Sequence, residues 1–300
     1  MYQGHYNDKE YHPPDLDTVL ERAWAAGVAK IIVTAGSLKE AREALELVKR
    51  DDRLFCTVGV HPTRCGEFDA HPGGPEEYLA GLAAVVAEGV AAGKTVAIGE
   101  CGLDYERLHF CDETTQTKYF EAQFSLAKAS GLPMFLHLRG SSAVSPFVDI
   151  VARHAGDFPA GVVHSFDGNA DELVQVLALG QLSIGINGCS LKTVENLDVM
   201  AQVPVGRLML ETDCPWCEIR STHAGKQYIK SAGVEARDRK KHDPTKMVKS
   251  RNEPCNMVQV LEVVAGHRGV EDVEGLSEAI WHNTLRMFFP REETSSALDG

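Results

Sequence analysis

The sequence lacks a long apolar segment. No run of apolar residues approaches the roughly 20 that a membrane-spanning helix needs, and the opening stretch MYQGHYNDKEYHPPDLD has none of the apolar centre of a secretory signal. Neither a Gly-rich dinucleotide fingerprint nor a phosphate-binding P-loop occurs. These absences predict an intracellular protein of the nucleus or cytoplasm, with no membrane partner and no obligate protein partner.

An excess of positive charge is also missing. The chain has 30 Lys and Arg against 43 Asp and Glu, a net charge of −13. This balance excludes general binding of nucleic acid through a basic surface. It does not exclude a nucleic-acid substrate, because bound divalent cations or a local basic patch can supply positive potential.

The eight cysteines do not form a disulfide framework. They are scattered through a long chain, and several lie in predicted strands, which is typical of reduced thiols in an intracellular protein. The motif CPWC (214–217) has the C-x-x-C spacing of dithiol oxidoreductases. The carboxylates of Asp213 and Glu218 beside it disfavour a thiolate, so the motif predicts structural thiols.

Seven apolar, β-branched segments alternate with amphipathic segments. The predicted strands cover 30–36, 54–62, 95–104, 133–140, 160–168, 182–189 and 207–215, and the predicted helices cover 15–28, 77–92, 114–130, 142–155, 170–179 and 193–202. This alternation predicts βαβ units in a parallel sheet. We therefore expect one α/β domain over 1–300, a TIM-like (β/α)₈ barrel that lacks its first strand, because no apolar segment precedes 15–28.

Polar side chains follow or end several of these strands. They are His61, Glu100, His137, Arg139, His164 and Asp213. The carboxyl ends of barrel strands form one rim, where active sites are assembled. Carboxylates and imidazoles together suit Zn²⁺, Mn²⁺, Fe²⁺ or Mg²⁺. Any one of these residues alone fits a structural hydrogen bond, but the set predicts a metal site.

The predicted loop over 221–251 is basic. Between Lys226 and Arg251 nine Lys and Arg face only three Asp and Glu. One interpretation is a solvated loop. The other is a phosphate-binding element, because the loop leaves the last strand and so belongs on the rim. Arg251, just before a helix start at RNEP, is the predicted phosphate ligand within it.

These motifs resemble the TatD-type metal-dependent deoxyribonucleases of the amidohydrolase-like barrel superfamily, and the eukaryotic branch in particular. The matching stretches are GVHPTRC, AIGECGLDY, PMFLHLR, GVVHSFDG, SIGINGCS, LETDCPWCEI, RNEP and NTLRMFF, from about residue 15 to residue 289. The resemblance implies a hydrolase that cleaves phosphodiester bonds of DNA, in the manner of a 3′-5′ exonuclease. It implies one or two divalent cations, with Mg²⁺ expected and Mn²⁺ or Zn²⁺ as alternatives.

The resemblance also implies roles for residues of this chain. Glu100 is expected to bridge the metals, with His137, His164 and Asp213 as further ligands. Glu100, Asp213 and His61 are the expected catalytic residues, and Arg139 and Arg251 the expected contacts of the DNA phosphates.

One departure from the family pattern concerns the first strand, which carries an early metal-ligand motif in the family. Met1 falls inside that pattern, and His5 and His12 are poor substitutes for the missing ligands. We therefore expect a truncated start that weakens the Asp213-side metal and impairs activity. Two alternatives stay open: an amidohydrolase that acts on a small amide or ester, and a barrel that serves as a non-catalytic scaffold.

Overall fold

A seven-stranded parallel sheet forms the centre of the computed structural model, which describes residues 1–290 and residue 292. Its strands, labelled β1 to β7 in chain order, are Ile31–Val33, Leu54–Val58, Thr95–Asp104, Met134–Arg139, Gly161–Val163, Leu182–Ile186 and Leu208–Leu210. Each strand pairs with the next one along the chain. The prediction of seven parallel strands is confirmed. The predicted segments are longer than the observed strands, because they also include the rim loops that hold the polar residues.

Ten α-helices, α1 to α10, occur in the described part of the chain. They are Leu16–Ala25, Leu38–Val48, Gly66–Ala70, Gly74–Ala91, Glu113–Ser130, Ser141–Arg153, Ala170–Ala178, Val194–Gln202, Met257–Arg268 and Val273–Phe288. All six predicted helices are confirmed, with ends that differ by at most three residues. Helices and strands share one large apolar core. None of the described helices combines the length and the apolar character needed to cross a membrane.

Strands β1 and β7 are the two ends of the sheet. A cavity of about 1210 Å³ opens between them and extends to the rim. Ile31 and Val33 line it from β1, Met209 and Leu210 line it from β7, and Phe288 of α10 also borders it. The interior of the barrel is therefore reached between the end strands as well as from the rim.

The basic loop packs against the first residues of the chain. Two-residue strands, Ala236–Arg237 and Met247–Val248, pair within the loop, and His5–Tyr6 pairs with Lys9–Glu10. The ring of His12 stacks on that of His242 with centroids 4.1 Å apart. His12 therefore lies against the basic loop.

Candidate metal centre

Glu100 lies within β3, which is buried along nearly its whole length. Its Oε1 atom is 2.7 Å from Nδ1 of His137, within β4, and 2.7 Å from Nε2 of His164, directly after β5. Gly102 permits this approach of β3 to β4, because a Cβ atom there would lie 1.9 Å from the carbonyl oxygen of His137. Three neighbouring strands thus bring together three residues of which the first and the last, Glu100 and His164, are 64 positions apart in the sequence.

The three ligand atoms form a compact triangle, whose third side is 3.2 Å between Nδ1 of His137 and Nε2 of His164. Ligands of an octahedral ion at roughly 2.1 Å are about 3 Å apart on one face. One carboxylate and two imidazoles are also a donor set that divalent transition metals and Mg²⁺ accept. The residues therefore fit a divalent cation on this triangle.

The second nitrogen of each imidazole supports this assignment. Nε2 of His137 and Nδ1 of His164 are buried and have no hydrogen-bond partner. They lie 3.4 Å from Oδ2 of Asp104 and 3.6 Å from Oε1 of Glu211, respectively. Metal-ligating histidines usually turn their other ring nitrogen toward a carboxylate, which sets the tautomer and the ring orientation. Both histidines have such a carboxylate in place.

The electrostatics of the triangle favour an ionised carboxylate. Burial opposes ionisation of Glu100, but His164 and His137 hold its pKa well below the usual range. Burial also disfavours the protonated form of His164, yet Glu100 and Glu211 raise its pKa well above the ordinary value. The ionised carboxylate of Glu100 thus attracts positive charge, and a metal ion bound here would take the place of the proton on His164, because only the neutral imidazole binds a metal.

Asp213 lines the same cavity but lies outside the compact ligand groups of the described residues. It follows β7 and has a left-handed backbone, with φ of 48°. Burial raises the pKa of its carboxyl group to about 6. The thiol of Cys217 donates a hydrogen bond of 3.2 Å to Oδ2. Asp213 thus lines the cavity, as a residue of the predicted rim site, without belonging to the triangle.

His61 and Arg139 also lie where the sequence predicts them. His61 lines the cavity with Nε2 3.5 Å from Oε1 of Glu100, and its Nδ1 is 2.7 Å from Oγ1 of Thr63. Burial lowers the pKa of its imidazole to about 4. Arg139 ends β4 and pairs with Asp167 at 3.0 Å, which fixes its guanidinium at the cavity wall.

The structure does not bring Arg251 into the cavity, which corrects the predicted phosphate contact. Its side chain is 0% exposed, and its two terminal nitrogens lie 2.7 Å from the two carboxylate oxygens of Asp15. Glu253 accepts a further hydrogen bond of 3.0 Å. With both terminal nitrogens bound to buried carboxylates, Arg251 holds the basic loop against the start of α1 and is not available to DNA.

The cationic residues that line the cavity, within the described part of the chain, are Arg64, Arg107, Arg139 and Lys192. Arg139 ends β4, and the other three come from the loops after β2, β3 and β6. Several basic-loop residues instead pair locally: Lys246 and Arg237 contact Glu235. Positive charge at the cavity wall is therefore supplied by Arg139 and by short rim loops. None of the described residues of the basic loop lines the cavity, so a phosphate-binding role for that loop stays a prediction.

Sequence reasoning also missed Glu211. It directly follows β7, and its Oε1 accepts hydrogen bonds from the backbone nitrogen of Ser165 and from Nδ2 of Asn187 at 3.0 Å. The same oxygen is the one nearest the free nitrogen of His164. The signal was present in the sequence, since Glu211 ends an apolar strand just as Glu100 interrupts one.

Comparison with known proteins finds similarity to TatD proteins in both sequence and structure. The family model described as TatD related DNase matches residues 4–289. The protein named deoxyribonuclease Tat-D of Schizosaccharomyces pombe is 42% identical over 289 residues, which cover 96% of this chain and 91% of that protein. The 3′-5′ ssDNA/RNA exonuclease TatD of Erwinia billingiae is 33% identical, over 91% of this chain and 93% of that protein. A crystal structure of an uncharacterized amidohydrolase from Saccharomyces cerevisiae superposes with a TM-score of 0.90 at 34% identity, covering 96% of each chain.

Proposed function

The chain belongs to the TatD-related DNase family, and we propose that it is a single-domain, divalent-metal-dependent deoxyribonuclease that hydrolyses phosphodiester bonds of DNA. The observation that carries this proposal is the triangle of Glu100, His137 and His164, with ligand atoms 2.7 to 3.2 Å apart at the rim of a parallel sheet. Since the Erwinia billingiae relative is named a 3′-5′ exonuclease, we propose removal of nucleotides from the 3′ end.

We assign one cation to Glu100, His137 and His164, and a second to Glu100 and Asp213, with Mg²⁺ as the expected ion and Mn²⁺ or Zn²⁺ as alternatives. A bound divalent cation lowers the pKa of a water ligand and offsets charge on a phosphate. Asp213 then orients or deprotonates the attacking water, because its carboxylate faces the same cavity as Glu100. His61 and Arg139, fixed by Thr63 and Asp167, face the phosphate.

The cavity is large enough for the end of a polymer. Its volume of about 1210 Å³ exceeds the roughly 300–1,000 Å³ of pockets that hold drug-sized ligands. Arg64, Arg107 and Lys192 at its wall add positive charge around the triangle. Because the net charge of the chain is −13, this local patch and the cations are the features that attract a polyanion.

Glu100→Gln tests the assignment. The amide keeps the size of the side chain but removes the charge between two imidazoles. We expect release of a 3′-terminal label from single-stranded DNA to require Mg²⁺, to stop with a chelator and to fall at least 100-fold in the variant. Glu88→Gln, on an exposed face of α4, is the matched control and should keep the wild-type rate.

Three results would contradict the proposal. An unchanged rate in Glu100→Gln would remove that residue from catalysis. Hydrolysis of small amides or esters without hydrolysis of DNA, under the same metals, would favour the amidohydrolase alternative. Binding of DNA without turnover under any divalent cation would favour the non-catalytic scaffold.

A further inference from the structure

Two cysteines from different loops meet at the wall of the cavity. Cys189 lies in the turn after β6, Cys217 lies in the loop after β7, and their Sγ atoms are 2.7 Å apart. Both side chains are partly exposed and line the cavity. The separation is only about 0.7 Å longer than the roughly 2.05 Å of a disulfide bond. The two sulfurs are thus positioned to react with each other.

The backbone around the pair is fixed by close packing. A Cβ atom at Gly188 would lie 2.0 Å from the carbonyl oxygen of Cys217, so only glycine allows the two loops to approach this closely. The side chain of Asn187 accepts a hydrogen bond of 2.8 Å from the backbone nitrogen of Cys189, which holds the turn. The proximity of the thiols therefore follows from the loops themselves.

The C-x-x-C motif, by contrast, does not form a pair. Cys214 interacts with the side chains of Thr212 and Tyr2, whereas Cys217 turns toward Cys189. Five further cysteines of the chain, at positions 56, 65, 101, 111 and 255, are buried. Cys214 also lines the cavity, but among the described residues Cys189 and Cys217 are the two cavity thiols that contact each other.

The surroundings of Cys189 favour its thiolate. Contact with Cys217 lowers the pKa of the Cys189 thiol despite the opposing effect of burial, and the cationic side chains of Lys192 and Arg139 act in the same direction. Thiolates near cationic side chains are the cysteines that react with oxidants.

We propose that Cys189 and Cys217 form a peroxide-sensitive modification site that closes as a disulfide. The sulfur of Cys189 attacks one peroxide oxygen, the O–O bond breaks and the departing oxygen leaves as water after taking up a proton. The resulting sulfenic acid is attacked by the sulfur of Cys217, the S–O bond breaks and a second water leaves. Two thiols lose two electrons in total, and one hydrogen peroxide gains them.

Disulfide formation reaches the proposed metal centre through Asp213. The thiol of Cys217 donates a hydrogen bond of 3.2 Å to Oδ2 of Asp213, and the disulfide has no hydrogen to donate. The sulfur also moves toward Cys189. This regulatory consequence rests on the proposed nuclease function: we expect oxidation to slow DNA hydrolysis about tenfold, the size expected for one hydrogen bond to a charged group.

Mass spectrometry of the full chain tests the site without reference to activity. After equimolar hydrogen peroxide, wild-type protein and Cys214→Ser should each lose about 2 Da and yield a linked peptide pair that contains Cys189 and Cys217. Dithiothreitol should reverse the change, and Cys189→Ser should not show it. A linkage between Cys214 and Cys217, or sulfinic acid in place of a disulfide, would overturn the proposal.

Nuclease assays on the same samples test the consequence. Oxidised wild-type protein should be slower and recover with reductant, whereas Cys189→Ser should keep its rate after peroxide. A disulfide that leaves the rate unchanged would overturn the regulatory role. A disulfide in a chain that hydrolyses no DNA in either redox state would instead contradict the proposed function, so the two failures are distinguishable.

Discussion

A substitution of Arg251 tests whether this residue of the basic loop stabilises the fold or binds the substrate. Its guanidinium is fully buried, binds both oxygens of Asp15 and one of Glu253, and lies 4.8 Å from the ring centre of Tyr2. Replacement by methionine keeps the apolar stem but leaves the carboxylate of Asp15 buried with only a 3.3 Å contact to His242. An uncompensated buried charge is the dominant cost of such a change.

The expected loss of stability depends on the ion pairs that remain after Arg251 is replaced. Removing one partner of a buried ion pair costs about 3–5 kcal/mol. Glu253 keeps Arg22, whose Nε atom is 2.7 Å from Oε2, so the low end, about 3 kcal/mol, applies to Arg251→Met. At roughly 2–4 °C for each kcal/mol in a chain of this size class, Tm should fall by about 6–12 °C.

Thermal unfolding and steady-state kinetics on the same preparations check this prediction. Lys249→Met, an exposed change in the same loop, is the control and should shift Tm by less than about 1 °C, as surface changes do. The double variant Arg251→Met with Asp15→Asn should be more stable than Arg251→Met alone, because the orphaned charge is gone. KM for DNA should stay near the wild-type value well below Tm. An unchanged Tm together with a tenfold rise in KM would refute the structural role and restore the phosphate-binding one.

Three further outcomes are expected. Glu211→Gln should weaken Mn²⁺ binding about 10–100-fold in calorimetric titration, because Glu211 orients His164; equal affinity would place it outside the metal centre. Although burial opposes ionisation, Arg251 keeps the pKa of Asp15 below its ordinary value, so its stabilising contribution is present above about pH 4 and is lost as the pH falls through the lowered pKa. The free energy of unfolding should therefore drop less between pH 5 and pH 3 in Asp15→Asn than in wild-type protein, and equal drops would contradict this. Mn²⁺ titration of the wild-type chain should show a tight phase, lost in His137→Ala, and a weaker phase, lost in Asp213→Asn; a single phase would argue against two sites.

The sheet and its rim were accessible from the sequence because they depend on local patterns. Strands buried on both faces are near-continuous apolar segments, and a charged residue such as Glu100 inside one of them is conspicuous. Because parallel strands end at the same edge of the sheet, His137 and His164 are predicted to lie at that edge even when no distance is known. The same reasoning applied to Glu211 would have found it.

The positions of Arg251 and Cys217 were not accessible in that way. Arg251 lies in a basic segment, which predicts exposure to solvent, but its partner Asp15 is 236 residues away along the chain. The sequence around CPWC predicts structural thiols, whereas Cys217 contacts Cys189, 28 positions earlier, at the cavity wall. In both cases a contact between distant segments, which no local pattern encodes, decides what the side chain does.

The two parts of the proposed metal centre differ in how the sheet supports them. Glu100 and His137 belong to β3 and β4, and His164 directly follows β5. These strands are in the middle of the sheet, where every strand has a neighbour on both sides. Asp213 follows β7, which pairs with β6 on one side and borders the open cavity on the other. A ligand set gains affinity when its supports are fixed before the ion arrives, since less ordering remains to oppose binding. We therefore expect the triangle around Glu100 to bind its cation more tightly than the position of Asp213 at the open side does.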